Sequence, residues 1–83
     1  VKLRYFAWVR ERIGLTEEEI ELPRNVASVA DLLAWLKQRG PEYEHALAEP
    51  SVIRVALDRV HAGRDAPLAS VSEVALFPPM TGG

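Results

Sequence analysis

The chain contains no cysteine. That single absence excludes a disulfide framework, a thiolate metal site and a thiol nucleophile. A surplus of positive charge is also missing: ten Lys and Arg stand against twelve Asp and Glu, for a formal net charge of −2. The basic residues form no stripe along the sequence, so nucleic acid is not expected as a partner. No apolar run approaches the ~18 residues of a membrane span, and no signal-peptide pattern opens the chain. No membrane association and a cytoplasmic location are therefore expected. The two histidines, His45 and His61, have no ligand-spaced companions, so no metal site is expected. The interior also lacks a Ser/His/Asp set, a glycine loop able to cradle phosphate, and a carboxylate pair placed in a cleft.

What is present suits one small domain. The 83 residues are 48% hydrophobic and 27% charged, which is ordinary globular usage. A domain of this size buries roughly 60% of the surface its unfolded chain exposes, enough to fold alone. The alternation of Val1, Leu3, Tyr5, Ala7 and Val9 predicts a first strand over residues 1–9. Its second face carries Lys2, Arg4, Phe6 and Trp8. A short helical turn is expected at 10–13, stopped by Gly14. A second strand is expected at 18–22, with Ile20 and Leu22 inward, the acidic residues outward, and Pro23 closing it.

The strongest local signal is a helix over 28–39. Ser28 suits the N-cap, Asp31 suits the positive end of the helix dipole, and Val29, Leu32, Leu33 and Leu36 follow the spacing of one buried face. Trp35 lies at the edge of that face. Gly40 and Pro41 end the helix, and a shorter helical piece with Tyr43 and Leu47 inward occupies 41–49. A strand at 52–57 places Ile53, Val55 and Leu57 inside. Asp58-Arg59 suggests a turn, a short strand is expected near 60–62, and residues 63–67 read as loop. Residues 73–77 form the last strand, with Val74 and Leu76 inward and Ala75 and Phe77 outward.

This order of elements predicts an α+β domain in which a mixed sheet buries its apolar face against one main helix. The arrangement is the β-grasp, or ubiquitin-like, fold, with its first and last strands as parallel neighbours. The fold occupies residues 1–77, and residues 78–83 form an extended C-terminal tail.

The chemistry points to that tail. Residues 74–83 carry no charged side chain. Pro78-Pro79 stops the last strand and stiffens the departing chain. From Pro78 to Gly83 the backbone can reach about 20 Å. Gly82 and Gly83 lack Cβ atoms and can thread a channel too narrow for a side chain. A slender arm of this kind can deliver its terminal carboxylate into another protein's active site.

Two motifs carry a family resemblance. Phe6-Ala7-Trp8-Val9-Arg10-Glu11 with Gly14 resembles the F-A-x-x-R-E-x-x-G opening of molybdopterin synthase small subunits, which are ubiquitin-like sulfur carriers. Phe77-Pro78-Pro79-Met80-Thr81-Gly82-Gly83 resembles their F-P-P-x-[ST]-G-G ending. The length and element order between the motifs agree as well. The chain departs from the family at Ala69-Ser70-Val71-Ser72, where an Asp-Gly-Asp turn is frequent. The resemblance implies that an E1-like adenylating enzyme uses ATP to activate the Gly83 carboxylate, and that a persulfide donor converts it to a thiocarboxylate. The sulfur would then pass to a cyclic pterin precursor in the active site of the synthase large subunit, within a heterotetramer of two small and two large subunits. The carrier would bind no cofactor and would supply a reactive group, while the large subunit supplies the catalytic site. Gly83 would carry the sulfur, and Gly82, Thr81, Met80, Pro79 and Pro78 would enter the partner. Phe6, Trp8 and Phe77, expected together on the sheet face away from the helix, would form the partner interface. Arg10 and Glu11 match the motif but read as fixing the turn after the first strand.

The same tail chemistry serves carriers for thiamine, cysteine or tRNA thiolation, and ubiquitin-like modifiers that join to lysines. Thiamine carriers generally lack the Pro-Pro approach. A third alternative is an interaction domain with an inert tail.

Overall fold

The computed structural model describes residues 1–79. Its elements run β1 (Lys2–Tyr5), α1 (Ala7–Ile13), β2 (Glu17–Glu19), α2 (Val29–Lys37), α3 (Pro41–Ala46), a 3-10 turn at Pro50–Val52, β3 (Arg54–Leu57), β4 (Val60–Ala62) and β5 (Glu73–Phe77). The five strands form one mixed sheet in the order β2-β1-β5-β3-β4. Strands β1 and β5 are parallel, Lys2 facing Glu73 and Tyr5 facing Leu76, and the other pairings are antiparallel. This is the β-grasp arrangement expected from the sequence.

The core forms where the helices meet one face of the sheet. Val29, Leu32, Leu33 and Leu36 of α2 are buried with Leu3, Tyr5, Val55, Val74 and Leu76. Helix α2 begins at a capping box. The Ser28 hydroxyl accepts from the Asp31 amide, and the Asp31 carboxylate accepts from the amide of Ser28, so orphan amides at both positions are satisfied.

The first strand is shorter than the alternation predicts. It stops at Tyr5, and Ala7 adopts a left-handed φ of 53° that turns the chain directly into α1. Alternation through Val9 coincides with a helical spacing: Val9 and Ile13, four residues apart, are both buried. Gly14 does end the element, at φ 89°. The second strand also differs. It spans Glu17–Glu19, and Ile20 and Leu22 pack against the core beyond its end. Glu18 lies opposite Leu3 and so faces inward, contrary to the expected outward placement. The start of the third strand is displaced because Pro50–Val52 forms the 3-10 turn, although Ile53 and Val55 are buried as expected.

At the β3–β4 hairpin, Asp58 and Arg59 have φ values of 47° and 71°, the pair of positive angles that a two-residue primed turn requires. The Asp58 carboxylate reaches across the hairpin and accepts from the Ser72 and Glu73 amides at 3.1 and 2.9 Å, which ties the turn to the start of β5.

Candidate functional site

The site is organised by where β5 ends. This strand is central, held by β1 on one side and β3 on the other, and its burial alternates as the sequence predicts, with Val74 and Leu76 fully buried. Beyond Phe77 the half-buried Pro78 and Pro79 lead off the sheet. Neither proline can donate a ladder hydrogen bond. The expected tail residues Met80, Thr81, Gly82 and Gly83 lie outside the described residues.

Around this exit the sheet presents a mixed surface. Phe77 is half-buried and faces Arg54 across the ladder. The His61 ring meets the Phe77 ring edge-on, with centroids 5.5 Å apart. On the other side, the Phe6 amide donates to the Leu76 carbonyl at 3.1 Å, which fixes the Ala7 elbow beside the end of β5. Phe6 is exposed, and the Arg4 guanidinium lies 5.5 Å from its ring centroid. Among the described residues Val60, on the β4 edge, is the most exposed large hydrophobic at 68%.

Trp8 does not join this group on the sheet. It lies on α1, half-buried, with the Arg12 guanidinium 4.3 Å from its ring, and it lines a small cleft with Ala46, Glu49 and Val52. The predicted sheet-face trio therefore fails in its placement of Trp8, because the chain leaves strand geometry at Ala7. His61 and Arg54 were missed as neighbours of Phe77. The β3–β5 pairing sets Arg54 opposite Phe77 and the adjoining β3–β4 hairpin brings His61 alongside, and the residue pattern reports neither the strand order nor its register. Arg10 and Glu11 are exposed on α1.

A second polar cluster sits on the helix side of the sheet. The Tyr5 and Tyr43 hydroxyls donate to one Glu18 carboxylate oxygen at 2.6 and 2.7 Å, and Arg39 pairs with the other at 3.1 Å. Burial alone would raise the Glu18 pKa, but the hydrogen bonds from Tyr5, Tyr43 and Arg39 outweigh it and hold the carboxyl below its ordinary value. Burial, reinforced by the hydrogen bond to Glu18, pushes Tyr43 up to about 12, and the same causes raise Tyr5 further. The cluster joins β1 and β2 to α3 and to the segment between α2 and α3, and lies within the packing, so its role is structural. Among the described residues no group of three His, Cys, Asp or Glu could hold a metal, and no helix is long and apolar enough to cross a membrane.

Five strands around a central β5, with α2 packed across one face, define a ubiquitin-like β-grasp protein. The chain belongs to the ThiS family, whose model matches residues 3–83. It is 32% identical over 82 residues to the molybdopterin synthase sulfur carrier subunit of Dictyostelium discoideum, covering 99% of this chain and 94% of that protein. Identity to the subunit of the same name from Escherichia coli K12 is 30% over 83 residues, covering 100% and 99%. Among solved structures, the chain resembles the molybdopterin converting factor subunit 1 of Pyrococcus furiosus, with a TM-score of 0.76, 32% identity and 95% of both chains covered. It also resembles SAMP1 of Haloferax volcanii, with a TM-score of 0.71, 25% identity, and 99% and 97% covered.

Proposed function

We propose that this protein is a sulfur carrier in molybdopterin biosynthesis, acting as the small subunit of molybdopterin synthase. The observation that carries the reading is the full-length match to sulfur carrier subunits, including the sequence of the arm beyond β5. A free carboxylate is a poor electrophile. Attack of the Gly83 carboxylate on the α-phosphorus of ATP, catalysed by an E1-like enzyme, expels pyrophosphate and gives an acyl adenylate. A persulfide displaces AMP, and thiol cleavage of the resulting S–S bond leaves a thiocarboxylate. With Pro78, Pro79, Met80, Thr81 and Gly82 inside the large subunit, this sulfur attacks the cyclic pterin precursor. Phe6 and Phe77 form the apolar part of the docking surface, and two carriers serve two large subunits.

The test is intact-mass spectrometry after incubation with ATP, the adenylating enzyme and a persulfide donor. The expected result is a mass increase equal to one oxygen replaced by sulfur, localised to Gly83. An unchanged mass, under conditions that convert a known carrier, would overturn the reading.

A second reading is supported by the likeness to SAMP1, a structure also described as small archaeal modifier protein 1. In this reading the activated Gly83 forms isopeptide bonds with lysines. Gly-Gly remnants on target lysines after proteolysis would support it.

A further inference from the structure

An activated acyl group needs a nucleophile, and this chain holds few. With no cysteine, the nucleophiles suited to acyl transfer are amines, and only two of the ten cationic side chains, Lys2 and Lys37, are lysines. The other eight are arginines, whose guanidinium keeps its proton and does not attack a carbonyl carbon. The Val1 amino group completes the set.

These three amines stand in different surroundings. A free α-amino group is ordinarily the most readily acylated amine near neutral pH. That of Val1 is engaged, because it donates to the Ile20 carbonyl at 2.8 Å and pairs with Glu19 at 2.9 Å. Lys2 stands in β1 with Glu19 and Glu73 as cross-strand neighbours, and its ammonium lies 3.4 Å from the Glu17 carboxylate. It must leave that carboxylate and shed a proton before it can attack. Charge is uneven across the sheet: Glu17, Glu18 and Glu19 gather on the β2 edge, whereas the opposite, β3–β4 edge carries Arg54 and Arg59.

Lys37 lies away from these carboxylates. It is the last residue of α2 and forms no ion pair among the described residues. The positions three and four away, Leu33, Ala34, Gly40 and Pro41, hold no carboxylate, so it lacks a partner at helical spacing. It is half-buried, and a lysine so placed lays its stem along apolar surface while its ammonium stays in water.

We infer that Lys37 is the position at which this chain accepts its own activated terminus, the amine of one copy attacking the Gly83 adenylate of another. The inference rests on the activation of Gly83 proposed above. The Lys37 ammonium first gives a proton to solvent. Its nitrogen then attacks the Gly83 carbonyl carbon, a C–N bond forms, the C–O bond to phosphate breaks and AMP leaves. A second proton passes from nitrogen to solvent, leaving an isopeptide. Without a persulfide, the adenylate has only water and amines as acceptors, so this reaction belongs to sulfur shortage.

The test incubates the full chain with ATP and the adenylating enzyme, without a persulfide donor, and follows pyrophosphate release together with the branched peptides of the products. The expected result is a covalent dimer in which Gly83 is joined to Lys37. Lys37→Arg should lower dimer yield at least about fivefold and Lys2→Arg less than about twofold, and both variants should still form the thiocarboxylate once a persulfide is supplied. Pyrophosphate release without a dimer, or with linkage mainly at Lys2 or Val1, would overturn the inference and leave the activation of Gly83 standing. An absence of pyrophosphate release would overturn that activation, and the inference with it.

Discussion

Glu18 shows how one side chain can be misread from pattern alone. It sits within Glu17-Glu18-Glu19, a run that looks solvated, yet its side chain is only 16% exposed and accepts from two tyrosines and an arginine. Nothing local signals this, because Tyr43 and Arg39 are distant in sequence. Its folded-state pKa is depressed, so the stabilisation is complete above the ordinary carboxyl value of 4.5 and is lost as pH falls through the folded value. Urea denaturation between pH 7 and pH 3 should show this loss, and Glu18→Gln should flatten that part of the profile. Glu18→Ala leaves the Tyr5 and Tyr43 hydroxyls without their acceptor and should cost about 1–3 kcal/mol at pH 7. The aromatic residues divide by role at the same scale. Phe77→Ala should weaken binding to the synthase large subunit by at least about 1 kcal/mol with little effect on stability. Trp8→Ala should instead destabilise the fold, because the indole packs between α1 and the segment after α3. Calorimetric titration and thermal denaturation separate the two effects.

Among the elements, α2 and β5 were fully legible. A wide apolar stripe with a cap, and a strict alternation closed by Pro-Pro, each allow one solution. The region from Phe6 to Val9 was not, because Val9 fits both the strand alternation from Val1 and the helical i, i+4 spacing to Ile13. The deciding feature is the backbone at Ala7, which a side-chain pattern does not report. Among the described residues, two non-glycine residues stand in left-handed conformations outside the β3–β4 turn, Ala7 at φ 53° and Ser70 at φ 66°. Ser70 lies in the turn before β5, where its left-handed backbone carries a conformational penalty. Ser70→Gly should raise stability by about 0.5–1 kcal/mol, read as a shift in the denaturation midpoint. The converse holds at Gly14, φ 89°, where an added Cβ would meet no atom within 4 Å. Gly14→Ala should therefore cost about 1–2 kcal/mol through conformation alone.

At the scale of the whole molecule, the fold class and the parallel β1–β5 pairing were readable. The cross-strand neighbours of Phe77 and the asymmetry of charge were not, since both require the strand order in space. The proposed role of Gly83 makes a clear prediction. Deleting Gly83 should leave the thermal midpoint unchanged and abolish sulfur loading, measured by intact mass. Gly82→Ala should slow adenylation by the activating enzyme while preserving the fold.

The central place of β5 also has a mechanical side. A partner that tugs on the arm pulls along β5, whose neighbours β1 and β3 grip it over four register pairs each. Force applied along a strand in that position loads the ladder bonds on both sides in shear, so they resist together and cannot be peeled one at a time. An edge strand bearing the same arm would unzip under a much smaller load. A pull transmitted through Pro78 would thus meet the most firmly held strand of the sheet, and the fold would not fail first at that strand.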